Sequence, residues 1–111
     1  GADVVFVEAP QSEDELREIP KKIDAPLLAN MIENGVTPTF SADELKSMGY
    51  SMVVFPLSGL YGAAYAMKKI FSQLKRTGST KGSKHMMLDF NEFNDLVDLP
   101  RFMQMEKKYQ S

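Results

Sequence analysis

The chain has no cysteine, which excludes a disulfide framework and a thiolate metal site within it. Its one histidine, His85, has no second histidine and no cysteine to pair with at metal-ligand spacing, so it reads as a loop residue and receives no role. No apolar run approaches the roughly 20 residues that a membrane helix needs, and the opening GADVVFVEAP lacks the basic and small-residue flanks of a signal peptide. A charge of one sign is missing too. The 13 basic and 15 acidic residues are mixed along the chain and leave a net charge of −2, so no field points to nucleic acid or to an anionic membrane. The expectation is a soluble protein with neither partner, and the cytoplasm is its default setting. No serine belongs to a triad, and residues 59–62 (GLYG) lack the lysine and spacing of a phosphate loop. Composition and spacing alone therefore yield no enzyme mechanism.

What is present is a chain of 111 residues, long enough for one domain with a real core. It is organised around residues 25–38, APLLANMIENGVTP. This stretch opens as an apolar strand over 27–31 and breaks into a polar turn holding Asn30, Glu33 and Gly35. Strands covered on both faces are almost wholly apolar, and in parallel sheets their polar residues collect at the carboxyl ends. Asn34-Gly35 also matches a two-residue hairpin turn, but residues 36–39 do not return as an alternating strand and run into a helix start.

Residues 2–9 (ADVVFVEA) read as a buried strand ended by Pro10. Ser12 and Glu15 form a capping box for a short helix with Leu16 and Ile19 on its core face, limited by Pro20. The second strand, 26–31, is followed by another box at Ser41 and Glu44. Phe40 and Leu45 stand at staple spacing, and Gly49 is the left-handed stop. A third strand over 50–55 closes at Pro56, and Ser58 can cap a long helix reaching Thr77, with Gly78 ending it. Leu60, Ala64, Met67, Phe71 and Leu74 form one apolar stripe on that helix. Strand starts near residues 3, 26 and 51 are the spacing of βαβ crossovers in a parallel sheet.

Residues 1–78 thus read as strand-helix units, 79–88 as a mobile polar linker and 89–111 as a helical tail. In the tail, Asp89 caps a helix over 90–97, and Pro100 opens a last one carrying Phe102, Met105 and Tyr109. These tail helices carry more apolar surface than three strands cover, so they dock on another subunit or on parts outside the chain. Met86, Met87, Met103 and Met105 read as fillers of core gaps. Glu13, Asp14, Glu15, Asp43 and Glu44 are helix starts, not catalytic pairs. Glu8 has two readings. As a strand-end residue it faces water; as a carboxylate between Val7 and Ala9 in a covered strand it needs compensation and meets a ligand together with Asn30.

The segments FVEAP (6–10), LLANMIENGVTP (27–38), MGYSMVVFPLS (48–58) and FNEFNDL (90–96), in this order, resemble the isocitrate lyase and phosphoenolpyruvate mutase superfamily. The resemblance covers nearly the whole chain, and it is nearest the dimethylmalate lyase, methylisocitrate lyase and carboxyphosphonoenolpyruvate phosphonomutase-like branch. It implies an α/β fold: the last three βα units of a (β/α)8 TIM barrel plus C-terminal tail helices, opening on a strand as a segment of a longer protein would. Active sites of such barrels lie at the carboxyl face of the strands. By the same resemblance Glu8, Asn30, Met31 and Ile32 are substrate-binding, with Asn30 donating to a carboxylate or phosphonate, and Phe6, Val54 and Pro56 are pocket walls.

The resemblance further implies Mg²⁺ as cofactor and a catalytic cysteine loop. Both belong to earlier strands, so this segment holds no metal ligand and no catalytic residue, and is expected to be inactive alone. The implied reaction is carbon-carbon cleavage with release of an α-keto acid, Mg²⁺ stabilising the enolate and the loop cysteine handling protons. Ile32 stands where tricarboxylate-cleaving members carry a hydroxyl residue, and Tyr61 and Phe90 stand where they carry arginines. A third carboxylate would lack its cations, so the implied substrate is a dicarboxylate such as a substituted malate, or an α-keto acid. Phosphonomutase and oxaloacetate decarboxylase activities are the alternatives within the superfamily, and a non-catalytic α/β interaction module is the alternative outside it. The implied partners are a small carboxylate and further copies of the chain, as a dimer of helix-swapped dimers.

Overall fold

In a computed structural model, described over residues 1–109, three short strands form one parallel sheet. They are β1 (Val5–Phe6), β2 (Leu27–Asn30) and β3 (Met52–Val54), in the order β1-β2-β3. The register pairs Val5 with Leu27, Leu28 with Met52, and Asn30 with Val54. Between the strands run α1 (Glu13–Lys22) and α2 (Ala42–Met48), and after them come α3 (Ser58–Thr77), a 3-10 helix (Lys81–Met86), α4 (Phe90–Leu96) and α5 (Leu99–Tyr109). Positions 110 and 111, the last two of the expected tail, lie outside the described residues. The chain forms two compact units, Gly1–Ala63 and Ala64–Ser111. No described helix is long and apolar enough to cross a membrane.

Side chains alternate between sheet faces along a strand, and that parity builds the core of the first unit. Leu27, Ala29 and Met31 share one face, where they pack with Leu16 of α1, Leu45 and Met48 of α2, and Tyr50. The opposite face holds Phe6, Leu28, Asn30, Met52 and Val54, and all five are partly or well exposed. The sheet therefore buries its helix-covered side and leaves the other open.

The expected boundary at α2 is present in full. Ser41 Oγ accepts from the Glu44 amide at 3.3 Å, and Glu44 Oε2 accepts from the Ser41 amide at 2.7 Å. At the other end, Gly49 takes φ +112°, its amide reaches the Lys46 carbonyl, and the Tyr50 amide reaches that of Leu45 at 3.0 Å. These two bonds make a Schellman cap. A Cβ on Gly49 would meet Pro20 Cβ at 2.8 Å, so glycine is needed both for its backbone angle and for its closeness to α1.

Pro20 does not end α1, which continues two residues past it to Lys22. A proline inside a helix leaves the carbonyl four residues earlier without its usual donor; here that carbonyl belongs to Leu16, and the buried Tyr50 hydroxyl donates to it at 3.2 Å. A side chain from 34 positions away repairs the gap.

Three other expectations are corrected. Ser58 is the first residue of α3, not its cap: the Tyr61 amide bonds to the Leu57 carbonyl at 2.8 Å, which puts Leu57 in the cap position. The expected linker is not devoid of structure, since Lys81–Met86 forms a 3-10 helix whose fully buried Ser83 donates through Oγ to Gln73 Oε1 at 2.5 Å. Small polar residues suit a linker, but they also let a backbone lie close to a helix. Finally, Met87, Met103 and Met105 are exposed, and the methionines in the core are Met31 and Met48.

In the second unit α4 is capped by Asp89, whose carboxylate accepts from the Asn91 and Glu92 amides at 2.8 and 2.9 Å. Phe90, Phe93 and Leu96 of α4 and Phe102 and Tyr109 of α5 are all exposed. No residue of α3 is buried either, its stripe of Leu60, Met67, Phe71 and Leu74 included.

Candidate functional site

Polar residues gather where β1 and β2 end, as expected of the carboxyl edge of a parallel sheet. A cavity of about 120 Å³ lies there, lined by Phe6, Glu8, Ala9, Asn30, Ile32, Gly35, Val36 and Thr37. It is smaller than the roughly 300–1,000 Å³ of typical small-molecule sites, so its lining does not enclose such a ligand by itself. Larger hollows exist, including one of about 510 Å³ beside Lys68, Lys69 and Arg76 in the second unit, but they hold no carboxylate-amide pair.

The acid and the amide reach the wall by different routes. Asn30 is the last residue of β2 and lies on the open face, and its Oδ1 is buried without a hydrogen-bond partner among the described residues. Turning the amide over would bury an unpaired Nδ2 there, so either orientation calls for a complementary group. Glu8 lies two residues beyond β1 and is exposed. The expectation of a carboxylate inside a covered strand is thereby corrected: β1 stops at Phe6, so Glu8 is solvated and still lines the same cavity as Asn30. Ala9, next in the wall, takes a positive φ of +49°, an unusual angle for a residue with a Cβ.

Of the other residues expected here, Phe6 and Ile32 line the cavity. Met31 does not. It is 1% exposed in the core, its Sδ 3.4 Å from the Phe40 amide, because the residue after Asn30 must face the helices. Val54 is the register partner of Asn30 on the open face but lies outside the cavity wall, and Pro56 is exposed beyond β3. Tyr61 is exposed on α3 and likewise outside the wall.

The sequence names Gly35 in the polar turn but gives Val36 and Thr37 no place, although all three line the cavity. The signal that could have found them is the turn. The Gly35 amide bonds to the Ile32 carbonyl at 3.0 Å, Asn34 adopts φ +58°, and the chain doubles back along the wall. Glu33 within this turn accepts from the Ser58 hydroxyl at the start of α3. That hydrogen bond holds its carboxyl below the ordinary range, while the second oxygen is buried with no partner among the described residues.

Among the described residues no group of three histidine, cysteine or acidic side chains could hold a metal ion. Glu8 and Asn30 offer hard oxygen donors, but two do not make a magnesium cage. The residues present therefore do not fit a metal by themselves.

The geometry defines a class: a parallel α/β sheet with an acid and an amide on a shared wall at its carboxyl edge. No family model matches the chain. It is 46% identical over 109 residues to the chloroplastic carboxyvinyl-carboxyphosphonate phosphorylmutase of Arabidopsis thaliana, covering 98% of this chain and 32% of that protein. It is 38% identical over 109 residues to 2,3-dimethylmalate lyase of Eubacterium barkeri, covering 98% of this chain and 38% of the relative. Among solved structures, the crystal structure of 2,3-dimethylmalate lyase, a member of the PEP mutase/isocitrate lyase superfamily, superposes with a TM-score of 0.83 at 32% identity, covering 100% of this chain and 39% of the other. The chain belongs to the PEP mutase/isocitrate lyase superfamily, and it spans about a third of the length of the curated relatives it matches.

Proposed function

We propose that this chain forms the last three βα units of a (β/α)8 barrel, with its tail helices, in a lyase that cleaves a substituted malate and releases an α-keto acid. The observation that carries this reading is the meeting of Glu8 and the unpartnered Asn30 amide on one cavity wall at the ends of adjacent parallel strands. In such a cleavage the electrons of the substrate's hydroxyl O–H bond form a carbonyl. The neighbouring carbon-carbon bond breaks, and the carbanion left beside the other carboxylate takes up a proton. In this proposal Asn30 donates through Nδ2 to a substrate carboxylate, and Glu8 accepts from a substrate hydroxyl. Phe6 and Ile32 keep that side of the site apolar.

By the resemblance, Tyr61 and Phe90 stand where tricarboxylate-cleaving members carry arginines, which supports a dicarboxylate over a tricarboxylate, since an additional buried carboxylate without a partner costs several kcal/mol, on the order of 3–5. The magnesium requirement belongs to the same proposal, its ligands lying outside these 111 residues. The exposed stripe of α3 supports a helix-exchanged assembly of several copies. A second reading, a phosphonate mutase, is favoured by the 46% identity to the phosphorylmutase.

The test uses the whole protein with 2,3-dimethylmalate, 2-methylisocitrate, oxaloacetate and phosphonopyruvate, each with Mg²⁺ and with EDTA. Keto-acid release from 2,3-dimethylmalate that EDTA abolishes is the expected result. Turnover of phosphonopyruvate alone selects the mutase, and no product from any of the four overturns both readings.

A further inference from the structure

Glu33 is a carboxylate in the 32–35 turn that does not itself line the cavity, although Ile32 before it and Gly35, Val36 and Thr37 after it all do. The turn is well defined internally. Its closing bond runs from the Gly35 amide to the Ile32 carbonyl at 3.0 Å, and a Cβ on Gly35 would stand 3.0 Å from that same carbonyl oxygen. What the turn lacks is attachment. Among the described residues, the hydrogen bond that residues 32–39 make to another element is the one between Glu33 and Ser58.

We propose that Glu33 is a positioning residue: through Ser58 it ties the turn to the start of α3, and so sets where Ile32, Gly35 and Thr37 stand in the cavity wall. Two features make the tie stronger than a surface hydrogen bond. The acceptor is ionised, and charge-assisted bonds are the stronger class. It also sits at the first turn of a 20-residue helix, whose positive end favours an anion. The depressed carboxyl pKa, caused first by the Ser58 hydroxyl, agrees with an ionised acceptor. The second oxygen is buried with no partner among the described residues, so the bond to Ser58 is the one this carboxylate makes to another side chain there.

The proposal rests on reading the cavity as the substrate site, so its test has one arm that does not need turnover. In the whole protein, Glu33→Ala, Ser58→Ala and the double variant are compared with Ser58→Thr, which keeps a hydroxyl, and Glu33→Gln, which keeps an acceptor. By amide hydrogen exchange, either alanine variant should speed exchange across residues 31–39 about 5-fold while α2 stays protected. The double variant should add nothing further, and Ser58→Thr should restore protection. In steady-state kinetics with the dicarboxylate turned over, the alanine variants should raise KM about 5-fold and leave kcat within about 2-fold.

Unchanged exchange, or effects that add in the double variant, overturns the tie. Loosened exchange with wild-type KM overturns its role in the site. If the wild type turns over none of the substrates, the proposed reaction falls, and the exchange arm alone decides whether Glu33 holds the turn.

Discussion

Tyr50 is the residue whose removal should most clearly expose how this fold is assembled. Its hydroxyl donates at 3.2 Å to the Leu16 carbonyl, the group that Pro20 deprives of a helical partner. Tyr50→Phe keeps the ring in the core and removes the donor alone. An orphaned buried carbonyl costs about 1–3 kcal/mol, so the substitution should destabilise by about 2 kcal/mol. Pro20→Ala supplies a backbone N–H at the very place the hydroxyl serves. In that background Tyr50→Phe should cost only about 0.5 kcal/mol, a coupling of roughly 1.5 kcal/mol between two residues that lie on different elements.

Urea unfolding of the whole protein and the three variants measures this, provided the slope m is common to all four. The pH limb gives a second reading. Burial raises the Tyr50 pKa above its usual 10.0, so the folded state holds a proton that the unfolded state has lost. Stability should hold below pH 10.0 and fall as the pH rises from there toward the folded pKa. The Tyr50→Phe variant should lack that part of the fall. An equal cost of Tyr50→Phe with and without Pro20 would refute the reasoning, because the hydroxyl would then not be filling the gap the proline leaves.

Gly49→Ala forces a Cβ to φ +112° and within 2.8 Å of Pro20 Cβ. Backbone strain of about 1–2 kcal/mol and overpacking of about 1–3 kcal/mol should together lower the urea midpoint clearly below that of the wild type. Ser41→Ala removes the N-cap acceptor and should cost about 1 kcal/mol by the same measurement, with Ser41→Asp close to wild type. Because Ser58 lowers the Glu33 pKa from 4.5, that group's contribution is present above pH 4.5 and lost as pH falls through the lower folded value. Ser58→Ala should flatten this part of the acid-unfolding curve. In the active whole protein, Asn30→Ala should raise KM about 10-fold, and Asn30→Asp should be worse because it sets a like charge against a substrate carboxylate. Wild-type KM in Asn30→Ala would remove the amide from the site.

The elements were legible where one local signal suffices. The α2 boundary follows from Ser41, Glu44 and Gly49, and the structure contains each bond those residues predict. The strand order follows from the spacing of three apolar runs, although the ladders themselves are much shorter than the runs, at 2, 4 and 3 residues. Two local rules misled. Pro20 signals a helix end, but tertiary contact with Tyr50 satisfies the carbonyl it frees and α1 runs on. Ser58 signals a cap, but its hydroxyl is engaged by Glu33 from 25 positions away. In both cases a distant side chain took the place of the local partner, and no window of neighbouring residues contains that information.

The wall was legible for a related reason, and legible only in part. Asn30 is recognisable because a polar residue ends an apolar strand, and strand parity then decides its neighbours: Met31 must turn to the helices while Ile32 returns to the open side. That alternation puts Met31 in the core, 1% exposed and away from the cavity wall. The same rule does not reach Gly35 or Thr37. Their placement depends on Asn34 at φ +58° reversing the chain, and on whatever anchors the reversed turn. A turn anchored through one carboxylate is a weak point in an otherwise packed unit. Substitutions at Glu33 or Ser58 should therefore change the wall's shape with little effect on the core, whereas substitutions at Leu27 or Leu45 should do the reverse. Each leucine is 1% exposed, and its truncation to alanine should cost about 2–5 kcal/mol.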